Sequence, residues 1–457
     1  MQAFSSNPSI FVFFKIRTHM SNTISGFSKL SKSDKINWLL ETYFSEQDQA
    51  RTLVESYWNS DDKLQKLHDE FIENTITNYY LPLGVAPNFL INDTLYAIPM
   101  AIEESSVVAA ASKAAKFWLE RGGFKAEVIA TEKIGQVHFM YHGDVAKLKA
   151  FFEEVKPTLI NDTAAITKNM ELRGGGIIDI ELRDKSDDLP HYFQLHAKFE
   201  TLDAMGANFI NSCLEQFATT FKREALLYKA FTEEEQNLTI VMSILSNYVP
   251  NCVVRAEVSC PISELKSKDI PDPEAFAHKF KQAVTIAELE PYRAVTHNKG
   301  IMNGIDAVVL ATGNDFRAVE AGVHAYAAKD GSYTSLTHCT VENDRFTFWI
   351  EIPLALGTVG GLTSLHPLVK FAMEMLQNPS AKDLMKIVAV AGLAQNFGAV
   401  KSLTTTGIQE GHMKMHLMNI LNQFEATATE KEQLVEHFKT NVVTHSAVVK
   451  AIADLRK

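Results

Sequence analysis

Between residues 131 and 246 the chain repeatedly switches its hydrophobic period, and that alternation constrains the fold more than any other feature. The runs QVHFMYH, IIDIELR and HYFQLHAKFE alternate in the manner of strands. DVAKLKAFFEEVKPTL and NFINSCLEQFATTFKREALLY repeat their apolar residues at three-to-four spacing, as helices do. The order strand, helix, strand, strand, helix predicts a small α+β domain inserted in a larger one. The flanks read differently. Residues 30 to 75 (KINWLLETYF, LQKLHDEFIENTI) have helical spacing, whereas LPLGVAPNFLINDTLYAIPM, with Pro82, Gly84, Pro87 and an Asn-Asp turn, reads as strands. SSVVAAASKAAKFWLER predicts a helix capped by its serines and stopped at Gly122-Gly123. After Pro250 a strand (VVRAEVSC), helices and LGTVGGLTS rebuild the larger domain, and the last 50 residues look like short amphipathic helices.

At 457 residues there is chain enough for two or three domains, and 46% hydrophobic with 22% charged residues suits a soluble globular protein. A net charge of −11 argues against nucleic acid and anionic membranes as partners, which leaves small-molecule chemistry. Cys213, Cys252, Cys260 and Cys339 show no CxxC spacing, pointing to a reducing compartment and no structural metal. The apolar SIFVFFKI has no charge before it and no cleavage signature after it, and is too short to span a bilayer, so residues 1–20 read as an extension outside the fold. The longest later apolar stretch, IVAVAGLAQNFGAV, contains Gln395 and Asn396. A soluble, cytoplasmic protein is expected.

Chemistry-bearing residues concentrate in AVTHNKGIMNGIDAVVLATGNDFRAVEAGVHAYA, residues 294 to 326. Lys299 precedes a glycine, and Asp315 ends a strand-like VVLATGND, the place where an open α/β sheet presents side chains to a crevice. A lysine near a carboxylate can hold a developing alkoxide, as carbonyl reduction requires. The same residues equally allow a loop lysine and a helix-capping aspartate. His412 and His416 have HxxxH spacing, but Met413 stands where a zinc-protease motif needs glutamate, so no metal is expected. Arg173-Gly174-Gly175-Gly176 lacks GxGxxG spacing and gives no Rossmann signature.

Taken together, the segments resemble 3-hydroxy-3-methylglutaryl-CoA (HMG-CoA) reductase, the class II form in particular. The resemblance rests on IENTIxxxxLPLGVAPNF (72–89), IEESSVVAAAS (102–112), RGGG (173–176), DAMGAN (203–208), ILSN (244–247), YRAVTHNKGIMNGI (292–305), ATGND (311–315), VGG (359–361), GLAQNFGA (392–399) and GIQEGHM (407–413). It implies an α/β (α+β) architecture: a large mixed catalytic domain (21–130 and 247–406), an inserted ferredoxin-like dinucleotide-binding domain (131–246) and a C-terminal helical flap (407–457). The reaction implied is reduction of HMG-CoA to mevalonate and coenzyme A by two hydrides from NADPH or NADH, through mevaldyl-CoA and mevaldehyde, in a homodimer.

By resemblance Glu104 is the acid, Lys299 polarises the substrate oxygen, Asp315 bonds that lysine, and His412 protonates the departing thiolate. Glu104 must then be held protonated by burial or by its network. The resemblance assigns Asp203, Met205, Gly206, Asn208 and Asn247 to the nucleotide, with Asp203 also expected as a helix cap. It assigns Ser106, Arg293, Thr296, Asn303 and Gln395 to the substrate.

Three positions depart from the family pattern. Ser105 replaces a proline beside Glu104. Met418 stands where some class II members have an arginine. Ile166-Thr167-Lys168-Asn169 lacks the acid that reads the adenine ribose in NADH-preferring members, so Thr167 and Lys168 should admit a 2′-phosphate. Two other readings remain. The same site could run as oxidation of mevalonate with NAD, or the chain could be a non-catalytic paralogue that binds without turnover.

Overall fold

The computed structural model describes residues 23–405, 417–418, 420–438, 441 and 443–457. The chain divides into a unit ending at Leu81 and a unit beginning at Pro82. The first holds α1 (Lys32–Tyr43), α2 (Gln47–Ser56) and α3 (Asp62–Asp69). Ser31 and Asp61 accept first-turn amides of α1 and α3, so a polar residue before each apolar run starts the helix there. Lys32 meets Asp69 at 2.7 Å, joining the first helix to the third.

The second unit opens with an antiparallel hairpin, β1 (Leu83–Ile91) and β2 (Thr94–Ala101). Asn92 and Asp93 at its turn have φ of 45° and 68°, the conformation that matches strand twist in a two-residue connection. Helix α4 (Val107–Leu119) and β3 (Lys125–Val128) follow. The chain then runs through β4 (Lys133–Met140), α5 (Val145–Asp162), α6 (Ala164–Glu171), β5 (Gly176–Asp184), β6 (Tyr192–Glu200), α7 (Ala207–Leu227), α8 (Glu233–Gln236) and β7 (Thr239–Leu245). These strands pair antiparallel in the order β5-β6-β4-β7. Phe139, Phe193 and Phe199 from the sheet meet Phe151, Phe217 and Phe221 from the helices in a separate core. The alternating periods therefore mark real elements, and β7 completes a ferredoxin-like βαββαβ order.

A second antiparallel sheet, ordered β3-β8-β10-β9, uses β8 (Val253–Pro261), β9 (Thr337–Glu342) and β10 (Arg345–Pro353). Between and after these strands come α9 (Pro273–Leu289), α10 (Pro291–Ala311), α11 (Phe316–Ala327), α12 (Leu362–Leu365), α13 (Pro367–Met375) and α14 (Ala381–Thr404). Helix α14 packs on the sheet and on α4 and α10. It is buried all round from Ile387 to Phe397, which explains why its sequence shows no amphipathic stripe. A Cβ on Gly304 of α10 would lie 2.5 Å from the Ala391 carbonyl oxygen, so glycine there lets the two backbones touch.

Helix α10 corrects the expectation of a strand at VVLATGND. Glu290 caps the helix, Pro291 opens its first turn, and the same helix continues through Val308 and Val309 to Ala311. Both valines are fully buried, and a short run buried on every side has no period to distinguish helix from strand. Lys299 lies in mid-helix, not on a loop. The expected crevice at the ends of an open parallel sheet is also replaced, because both four-stranded sheets are antiparallel.

Helices Ala428–His437 and His445–Leu455 bury Leu434, Val448 and Ile452 with Leu417, Ile420 and Leu421 in a third core, against which Met418 packs. Residues 1–20 and the segment holding His412, Met413 and His416 lie outside the described residues. Among the described residues no helix is long and apolar enough to cross a membrane.

Candidate active site

Thr296, Lys299 and Asn303 follow one another at helical spacing along one face of α10. Lys299 Nζ donates to Glu104 Oε2 at 2.7 Å, and Asn303 Nδ2 reaches the same oxygen at 3.3 Å. Glu104 sits in the connection between β2 and α4, packed beside α10. The pair is open to water: the lysine side chain is 60% exposed and the glutamate 40%. Of the two alternatives expected for Glu104, burial or a network, burial is not found, and the partners present are Lys299 and Asn303. Ser106 occupies the N-cap position of α4 with φ 75° and no capping bond from its side chain, so the expected serine cap is absent. That left-handed residue turns the chain directly after Glu104 and Ser105.

Asp315 is not brought to Lys299. It caps α11, accepting from the amides of Arg317 and Ala318, and takes the Arg317 guanidinium on both oxygens at 3.0 and 3.1 Å. The Arg317 bond holds its carboxyl below the usual range, with burial opposing and the helix amides assisting. The expected Lys299–Asp315 bond is absent because each side chain has a nearer partner, and the capping alternative is what the geometry contains.

Met205, Gly206 and Asn208 line an open cleft of about 610 Å³ with Asn169, Arg173, Asp315 and Arg317. Gly206 precedes α7 at φ 91°, and a Cβ there would come within 2.6 Å of Thr201 Cγ2. Two guanidinium groups and the N-terminus of a 21-residue helix suit a pyrophosphate-bearing nucleotide. Asp203 takes another part. Its Oδ1 accepts from Ala381 N–H at 2.8 Å, fastening the start of α14, while Gly206 holds the N-cap position of α7. The expectation of Asp203 as a cap on α7 is corrected accordingly.

Thr167 and Lys168 do not line the cleft. Thr167 is 1% exposed on the inner face of α6 with its Oγ1 unpartnered. Ile166, Asn169, Met170 and Arg173 are the residues that α6 and the following turn turn toward the cleft. Asn247 lines an adjoining cavity of about 300 Å³ with Lys133, Met205 and Asp315. Lys133 is nearly buried, and burial draws its pKa down while it donates to the Ala204 carbonyl at 2.8 Å.

Gln395 faces α10 from α14, buried, with its Oε1 unpartnered. Arg293 and Thr296 lie in the first turns of α10, Arg293 half-buried and Thr296 exposed. What sequence reasoning missed is the polar core behind this face, formed by His297, Asn298, Thr337 and Asn396, all 1% exposed or less. Only burial distinguishes these from ordinary polar residues. It missed Arg317 as well, the cation that takes Asp315. Among the described residues no group of three or more His, Cys, Asp or Glu side chains is gathered to hold a metal ion.

The sequence model of the hydroxymethylglutaryl-coenzyme A reductase family matches residues 36–417. The chain belongs to that family. It is 37% identical over 428 residues to the 3-hydroxy-3-methylglutaryl-coenzyme A reductase of Archaeoglobus fulgidus, covering 92% of each chain. It is 33% identical to the probable 3-hydroxy-3-methylglutaryl-coenzyme A reductase of Borreliella burgdorferi, over 85% of this chain and 88% of that one. Among solved structures it resembles the class II HMG-CoA reductase of Streptococcus pneumoniae bound to NADPH in open conformations. That match has a TM-score of 0.68 and 31% identity, over 94% of this chain and 100% of the other. HMG-CoA reductases are NAD(P)H-dependent oxidoreductases, and this chain is one of them.

Proposed function

We propose that this chain reduces HMG-CoA to mevalonate and coenzyme A, and that the Lys299–Glu104–Asn303 cluster is where the thioester carbonyl sits. The observation that supports this most directly is the accessible Lys299 Nζ held 2.7 Å from Glu104. When bound, the reduced nicotinamide supplies the hydride. Lys299 then holds the oxyanion, Glu104 donates the proton to that oxygen, and Asn303 orients Glu104. As the C–S bond of the hemithioacetal breaks, its hydroxyl proton would return to Glu104 and His412 would protonate the departing thiolate, leaving the aldehyde. A second reduced nicotinamide, exchanged for the oxidised first, would supply the hydride and Glu104 the proton that give the alcohol. Asp315, now engaged by Arg317, would join Lys299 only after a rearrangement that frees it.

The cleft beside Gly206 is proposed for the nucleotide, within a binding domain at 131–246. Residues 21–130 and 247–406 would take the substrate, and 407–457 would form a flap. The NADPH-bound relative and the absence of an acid on the cleft face of α6 support NADPH as an acceptable donor. A homodimer in the cytoplasm completes the proposal, supported by the exposed apolar side chains of Ile72 and Tyr79 in the IENTI segment, 67% and 90% exposed. The deciding measurement is nicotinamide absorbance during turnover of HMG-CoA with each reduced nucleotide in turn. No oxidation of either nucleotide would overturn the proposal, and turnover only from mevalonate with NAD would favour the reverse reaction.

A further inference from the structure

His297, two residues before Lys299, points inward from α10 and is 1% exposed. Its surroundings fix every proton. Asn396 Nδ2 donates to the His297 carbonyl at 3.3 Å, and a carbonyl can only accept, so the opposite side of that amide presents Oδ1 to Thr337. The Thr337 hydroxyl donates to this Oδ1 at 3.0 Å. Ser335 Oγ is committed to the Thr337 carbonyl at 2.8 Å. The Thr337 oxygen, its proton spent on Asn396, must accept from His297 Nε2, 2.6 Å away. His297 is therefore the Nε2–H tautomer with a bare lone pair on Nδ1. That lone pair faces Arg293 Nη2 at 3.5 Å, one turn earlier on the helix. Burial, followed by the charges of Arg293 and His338, holds the imidazole down to about 3, so it stays neutral and Nδ1 stays an acceptor.

We propose that His297 is a positioning residue for Arg293, with the buried Thr337–Asn396 pair locking the tautomer whose Nδ1 holds the guanidinium toward the substrate. The inference rests on the reductase proposal and on the resemblance that assigns Arg293 to the substrate. An acceptor behind a half-buried guanidinium fixes one of its N–H groups and leaves the others directed outward. If the imidazole proton moved to Nδ1, a donor would face a cation, and Arg293 would be turned away.

Thr337→Val tests this, because it keeps the volume and removes the hydroxyl that dictates the tautomer. The KM for HMG-CoA should rise about tenfold, the order of one charge-assisted contact, while kcat and the KM for the reduced nucleotide change less than about threefold. Thr337→Ser should restore the wild-type KM. A KM for HMG-CoA unchanged in Thr337→Val overturns the proposal, as does a parallel rise in both KM values with a lowered melting temperature, the signature of a merely structural role. Should the valine variant not fold, ¹⁵N-histidine NMR of the wild type decides, since an Nδ1–H signal for His297 overturns the tautomer. Failure of the wild type to oxidise NADPH with HMG-CoA would instead strike the reductase proposal. An unchanged KM in Arg293→Gln would strike the substrate contact, and the positioning role with it.

Discussion

Lys299 and Glu104 meet where water reaches both, and an ion pair so exposed contributes little to stability, about 1 kcal/mol or less. The pair can therefore be altered with little cost to the fold, which makes its proposed chemistry testable. Lys299→Met should leave the melting temperature nearly unchanged and reduce HMG-CoA turnover by about 10²-fold or more, because the oxyanion loses its cation. Near-normal turnover would remove Lys299 from the site. Gly206→Ala is expected to behave differently. It forces φ 91° on a residue with a Cβ and drives that Cβ to 2.6 Å from Thr201, so both stability and the KM for the nucleotide should suffer. An unchanged nucleotide KM would place the pyrophosphate elsewhere. The resemblance singled out these residues in the sequence. Their partners were not: Asp315 was expected on Lys299 and is found on Arg317, a choice set by the cap geometry of α11 that no spacing rule contains.

Helix α10 carries Arg293, Thr296, Lys299 and Asn303 of the proposed site, so what fixes that helix would fix the proposed chemistry. One constraint is the backbone contact at Gly304, where Gly304→Ala would push a methyl into the Ala391 carbonyl and should cost about 1–3 kcal/mol by denaturant unfolding. Another is electrostatic. Asp306 on α10 is pushed up to about 8, first by burial and then by the hydrogen bond and charge of Glu320 on α11, and Glu320 also binds His324 at 3.1 Å. A carboxyl raised above its unfolded value of 3.8 keeps a proton that the unfolded chain has released. Its contribution is full below about pH 4 and is lost as the pH rises through about 8. The wild-type melting temperature should therefore fall more than that of Asp306→Asn between about pH 6 and about pH 9, since the amide is neutral throughout. Equal falls would mean that Asp306 is already ionised in the folded protein. The strands and helices of 131–246 were legible because each has one wet face, whereas the second half of α10 and the middle of α14 blurred into apolar runs because they have almost none.

At the scale of the molecule, two separate cores, one under the β5-β6-β4-β7 sheet and one around α14, contribute side chains to a single cleft. Asn169, Arg173 and Asn208 come from the first part, and Arg317 and the turn after β10 from the second. A nucleotide filling that cleft touches both, and a ligand that binds only the folded chain stabilises it by about 2.7 kcal/mol at a hundred times its Kd. NADPH alone should thus raise the melting temperature of the unit beginning at Pro82. If α6 discriminates between nucleotides, as proposed, the residue that would do so is Asn169, two positions beyond Thr167. Thr167 is buried, so an aspartate there would unfold the helix packing before it could read a ribose. Asn169 is exposed on the cleft side and can be changed without that penalty. With no acid on this face and Arg173 near it, NADPH should be used at least as well as NADH. Asn169→Asp should shift the kcat/KM ratio toward NADH, because a carboxylate binds two ribose hydroxyls but repels a 2′-phosphate. A wild-type ratio favouring NADH tenfold, about 1.4 kcal/mol in transition-state binding, would show that a residue outside α6 reads the ribose.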